Sequence, residues 1–119
     1  MLEPISSEKT KSRTVKIYES NGYRAIFTTE PNPLMFEGKI LCIKIVCLYE
    51  KNIPYPVIQY NSALKRFDGM FTSFFVLKGD DEKEWIDSIQ NASEFIRNIT
   101  EVLNGETEHE SNIRIMQGC

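Results

Sequence analysis

Apolar and polar positions follow two periods along this chain. A series of short stretches with a period of two is followed by one long stretch with a period near 3.6. The long stretch runs between Gly79 and Gly105. There Trp85, Ile89, Ala92, Ile96, Ile99 and Leu103 recur in alternating steps of four and three, which places them on one helical stripe. Phe95 and Val102 widen that stripe. Asp81 suits the N-cap with Glu84 three residues on, so each can satisfy a free backbone donor at the helix start. Asp80, Asp81 and Glu82 complement the positive end of the helix dipole. Gly105 is the expected stop. A helix of this length spans about 36 Å at about 1.5 Å per residue, enough to cover one face or one open end of a small sheet.

The period-two stretches predict that sheet. Arg13–Thr29 reads as a hairpin about Asn21-Gly22, the pair favoured where both turn residues need positive φ. A two-residue turn sets Ser20 opposite Tyr23, Glu19 opposite Arg24, Tyr18 opposite Ala25 and Ile17 opposite Ile26. Glu19 with Arg24 joins opposite charges and Ile17 with Ile26 joins like aliphatics, each pair worth about 0.2–1 kcal/mol. Glu30–Gly38 holds two prolines and reads as a loop, in which Leu34, Met35 and Phe36 either plug the end of the sheet or form a sticky patch. Lys39–Glu50 is apolar on both parities and reads as a central strand covered on both sides. Val57–Asn61 and Met70–Lys78 are further strands. Ser62–Gly69 is a polar connection with room for a short strand or one helical turn.

Size and composition narrow the classes. The 119 residues, 41% of them hydrophobic, suffice for one domain with one core. The expected division is a flexible basic arm over 1–12, an α+β domain over 13–105 and an acidic, frayed tail over 106–119. A net charge of −3 argues against nucleic acid as a partner, which calls for a strong basic excess. No run of about 18–20 apolar residues is present, and the N-terminal stretch has no apolar core of a secretory signal. An intracellular, cytoplasmic location is therefore expected. Cys42 and Cys47 are five apart in one strand, point to opposite faces and cannot bridge each other, so they read as small core residues. Cys119 reads as an exposed thiol.

Catalytic chemistry finds no anchor. A nucleophile needs a base within reach, and the only histidine, His109, lies in the expected tail. With no CxxC and one histidine, no zinc site is expected. The six glycines are scattered singly, as turns require, rather than clustered as a phosphate cradle requires. No cofactor is expected, and the chain is read as a non-enzyme.

Phe74-Phe75-Val76-Leu77, followed by Asp81-Glu82-Lys83-Glu84-Trp85-Ile86 and Ile89, resembles the end of a pleckstrin-homology-like domain. In that family a final aromatic strand leads through a short acidic turn into one helix that carries an inward Trp. The likeness covers about a fifth of the chain. It implies a strongly bent sheet closed at one end by the helix. Family members that bind phosphoinositides carry several cations around the first hairpin. Here that hairpin offers Lys16 and Arg24, Arg24 already faces Glu19, and Ile26 stands where a further cation would be wanted. The resemblance thus implies a scaffold for proteins or peptides and does not bring lipid binding with it.

The expected fold is α+β: an antiparallel sheet of five to seven strands, bent or barrel-like, closed by one long C-terminal helix. The expected function is a non-catalytic protein-interaction or scaffold module whose partner is another protein. Its candidate contact residues are Leu34, Met35 and Phe36 with the aromatics Tyr18, Tyr23 and Tyr55. A second reading is attachment to an anionic membrane through Lys9, Lys11, Arg13, Lys16 and Arg24. A third is a ligand or enzymatic pocket between helix and sheet, beside Trp85.

Overall fold

The computed structural model describes residues 2–31, 38–48, 55–73, 82–109 and 113–116, the side chains of 55, 71–73, 84, 85, 109 and 116 excepted. The strands are β1 (Ser6–Lys9), β2 (Thr14–Ser20), β3 (Tyr23–Pro31), β4 (Lys39–Cys47), β5 (Tyr55–Asn61), β6 (Arg66–Ser73) and β7 (Ile113–Met116). A single helix, α1 (Glu82–His109), lies between β6 and β7. The fold is α+β. Its main sheet has the order β1-β2-β3-β4-β7, antiparallel except where β7 joins β4 in parallel, and β5 and β6 form a separate two-stranded ribbon. The main sheet is open at β1 and β7 and does not close into a barrel.

The β2–β3 hairpin has the expected register, with Glu19 opposite Arg24 and Ile17 opposite Ile26. Its turn is made by Asn21 at φ 53° and Gly22 at φ 84°, the positive values that a turn matching the strand twist demands. The β5–β6 turn is tight. The Asn61 Oδ1 accepts hydrogen bonds from the backbone N–H of Ala63 and Leu64, and Lys65 takes φ 54°. The connection after Asn61 is thus only a turn, and β6 begins at Arg66.

Two boundaries differ from expectation. The N-terminal arm is not loose: Ser6–Lys9 pairs with Thr14–Ile17 as an edge strand. The Thr10 N–H bonds the Arg13 carbonyl and the Thr10 Oγ1 accepts from the Arg13 N–H, which closes the β1–β2 turn. An exposed edge strand gains from polar, charged side chains, so it carries no apolar alternation to read. At the other end, α1 continues through Gly105 to His109. A glycine inside a helix costs about 1 kcal/mol relative to alanine, and continuation lets Glu106 reach Lys16 and Tyr18 on the sheet. The tail then returns as β7 beside β4.

The core lies between the inner face of the main sheet and the apolar stripe of α1. Tyr18, Tyr23, Ala25, Phe27, Leu41 and Ile45 meet Ala92, Phe95, Ile99, Val102 and Leu103. The rings of Tyr23 and Phe95 stack with centroids 5.5 Å apart. The ribbon joins the same core through Phe67. Its backbone is fixed to the helix by Asn104, whose Oδ1 accepts from the Phe67 N–H at 2.8 Å and whose Nδ2 donates to the Phe67 carbonyl at 3.2 Å. Gly69 lies so close to the helix that an added Cβ would overlap the Ile96 Cγ2. The helical stripe is therefore core, as its spacing requires. Trp85 is within α1, but its side chain lies outside the described residues, as do Asp81 and the last part of the expected strand Met70–Lys78.

Candidate functional site

Two features of the sheet bear on function, one on each face. On the inner face a cleft of about 250 Å³ opens at the C-terminal end of α1. Its floor is Phe27, Leu41 and Leu103, and Lys16, Glu106 and Ile113 stand around it. The Lys16 ammonium donates to the Glu106 Oε1 at 2.7 Å, and the Tyr18 hydroxyl donates to the same oxygen at 3.2 Å. Burial pushes the Tyr18 phenol well above its ordinary pKa, and the charge and hydrogen bond of Glu106 act in the same direction, with a smaller effect from Glu3. Burial also raises Tyr23, with a contribution from Cys47. Glu106 is thus engaged by two donors from β2. This arrangement fastens the last turn of the helix to the sheet, and Glu106, the one carboxylate among the described residues lining the cleft, is held by both donors. This cleft lies at the end of the helix away from Trp85; the pocket expected beside Trp85 involves a side chain outside the described residues.

On the outer face the cross-strand register lays out rows of side chains. Glu19, Arg24 and Val46 form one row, and Ile17, Ile26 and Lys44 the next. Val15, Thr28 and Cys42 follow, then Glu30 and Ile40. Val15, Ile17, Ile26, Ile40 and Val46 are all partly exposed. Charged side chains stand around them: Glu8 opposite Val15, Lys44 opposite Ile26, and Glu19 bound to Arg24 through both Nε and Nη2 at 3.0 and 2.7 Å. An apolar centre within a polar rim is the anatomy of a protein interface. Among the described residues β4 has cover on its inner side only, where two-sided cover was expected. Cys42 and Cys47 do lie on opposite faces. Cys42 is disulfide-bonded, which corrects the reading of it as a plain apolar filler.

The expected contact residues fare unevenly. Tyr18 and Tyr23 are only 2% and 1% exposed, so neither serves as a surface anchor. The parity that puts Ile17 outward turns Tyr18 inward, and the helix covers it. Tyr55 starts β5, with its side chain outside the described residues, and Leu34, Met35 and Phe36 lie outside them altogether. The cations proposed for a membrane do not form a free patch. Arg13 pairs with Glu30 at 3.5 Å, Lys16 with Glu106 and Arg24 with Glu19, while Lys9 and Lys11 are exposed. Attraction to an anionic surface is weakened wherever the cation already has a carboxylate beside it. The outer-face residues escaped sequence reasoning, although the signal was present. Both parities of β2 and β3 carry large apolar side chains, and one helix covers only one of them.

Among the described residues no cluster of three metal-ligating side chains occurs, and no helix is long and apolar enough to cross a membrane. No protein-family model, no curated protein and no solved structure matches the chain.

Proposed function

We propose that this chain is a non-catalytic protein-interaction module of the pleckstrin-homology-like kind, which binds another protein through the outer face of its main sheet. The observation that carries the reading is the row Ile17–Ile26 with Val15 and Val46 beside it, partly exposed on the face that α1 leaves uncovered. A sheet face meant only for water carries polar residues at these positions. A contiguous aliphatic centre ringed by Glu8, Glu19, Arg24 and Lys44 suits burial against a partner's apolar patch instead. The family part of this reading rests on the sequence resemblance alone; the open sheet and the parallel strand that follows the helix are not features that resemblance implies.

The test is a partner captured by the wild-type chain, purified and titrated against variants. Ile17→Glu with Ile26→Glu puts two charges at the centre of the face and is expected to weaken binding at least tenfold. Ile26→Thr keeps the β-branched shape and so keeps the strand, and is expected to weaken it several-fold. Unchanged affinity for Ile26→Thr, with the urea midpoint retained, overturns the reading.

A further inference from the structure

The outer face of the main sheet is complementary to itself. At its centre, rows of side chains cross the boundary between β2 and β3. Glu19 faces Arg24 at the hairpin end, Ile17 faces Ile26 and Val15 faces Thr28 in the middle, and Arg13 pairs with Glu30 at 3.5 Å beyond them. Each charged row carries one sign on the β2 side and the other on the β3 side. The rows between them are mainly aliphatic, and Val15, Ile17 and Ile26 are all partly exposed. Cross-strand pairs of this kind also stabilise a hairpin. Hairpin stability alone, however, gives no reason to leave aliphatic rows in contact with water.

A half-turn about an axis along that boundary, in the plane of contact, lays β2 of one copy over β3 of another. Glu19 then meets Arg24, Ile17 meets Ile26, Val15 meets Thr28 and Arg13 meets Glu30, and each meeting occurs twice. A two-fold interface requires this reciprocity, in which residue i touches j and j touches i. Two sheets stacked with their strands nearly aligned pack about 10 Å apart and interdigitate their facing side chains. The ionic rows can be shared between copies. Both Arg24 bonds, from Nε and Nη2, fall on the Glu19 Oε2, which leaves the Oε1 to accept from the second copy. The same half-turn brings β1 over β4, so the exposed Glu8 and Lys44 add opposite charges at the margin.

We infer that the partner of this face is a second copy of the chain, seated by a half-turn about the β2–β3 boundary. The inference rests on the function proposed above and names the partner of that same face. Ile17 and Ile26 of the two copies form the dry centre of the contact. The Glu19–Arg24 and Arg13–Glu30 rows close it at either end and set its register, because a slip by one row places charge on aliphatic side chains.

The experiment is sedimentation velocity of the full chain from micromolar to near-millimolar concentration. The wild-type chain is expected to show a reversible monomer–dimer equilibrium. Arg24→Glu makes its row acidic on both sides, and Glu19→Arg makes it basic on both sides. Each variant alone, with its urea midpoint retained, is expected to weaken the dimer at least tenfold. Mixed in equal amounts, the two are expected to recover a dimer within a few-fold of the wild-type affinity, since every charge again meets its opposite. The inference is overturned if the wild-type chain stays monomeric throughout, which needs no variant to establish. It is also overturned if neither substitution weakens the dimer, or if the mixture associates no better than its components. A monomeric wild-type chain whose captured partner of different sequence is still weakened by Ile26→Thr overturns this inference alone and leaves the outer-face reading standing.

Discussion

Asn104 on the helix and Phe67 on β6 satisfy each other as two strand residues would. The amide side chain accepts from the Phe67 N–H and donates to the Phe67 carbonyl. The side chain thus stands in for a missing strand and fixes the ribbon against α1. Asn104→Ala leaves both backbone groups without this partner in a part-buried position, and is expected to cost about 1–3 kcal/mol in urea denaturation. An unchanged midpoint would show that water replaces the amide at no cost.

The contact of Gly69 with Ile96 is steric. Gly69→Ala pushes a methyl group into the Ile96 side chain, and the expected cost is about 1–3 kcal/mol. With Ile96→Ala already in place the main overlap is gone and only the crowding against the Thr100 Oγ1 remains, so the second substitution is expected to cost less than it does alone. A double-mutant cycle reads this directly. Additive effects would mean that the ribbon and the helix do not touch there.

Alkaline pH should loosen the fold through Tyr18 and Tyr23. Both phenols are raised above the ordinary value of 10.0, so the unfolded chain gives up these protons first. Their contribution to stability is complete below about pH 10 and is lost as pH rises from there toward the folded pKa. Denaturant midpoints are expected to fall from about pH 10 upward, with tyrosinate absorbance rising in step with unfolding. Tyr23→Phe should make the decline shallower. A wild-type midpoint that stays level to pH 11 would contradict the burial of these two rings.

Ion pairing of Arg13, Lys16 and Arg24 predicts weak attraction to lipid. In sedimentation with anionic vesicles at about 0.15 M salt, where screening acts over about 8 Å, the chain is expected to stay in the supernatant. Glu19→Gln with Glu106→Gln frees two cations and is expected to raise the bound fraction at low salt only. Strong, salt-sensitive binding by the wild-type chain would reverse this ordering.

What was legible in the sequence was whatever a local rule determines. Asn21-Gly22 requires positive φ at both turn positions, and that alone set the register through Ile17 and Ile26. The four-three spacing from Ile89 to Leu103 identified the buried side of α1, because no other periodicity buries those residues together. Illegible parts depended on distant partners. Ser6–Lys9 is a strand because β2 offers it an edge, and its own side chains announce nothing. The helix passes Gly105 because Lys16 and Tyr18, some ninety positions earlier, hold Glu106. Tyr18 and Tyr23 suit an interface centre by residue type, but strand parity and the helix above them bury both. The candidate interface became visible only once the layer count was known, since one helix cannot cover two apolar faces.

The proposed function requires a partner to rest on the aliphatic row of the outer face. The most direct measurement is site-specific photo-crosslinking in the presence of the purified partner. A photoreactive side chain at Thr28, next to Ile26 and Val15, should capture the partner in high yield. The same group at Leu64, exposed in the β5–β6 turn, should capture almost none. Equal yields at the two positions, or capture from Leu64 alone, would contradict the assignment of this face.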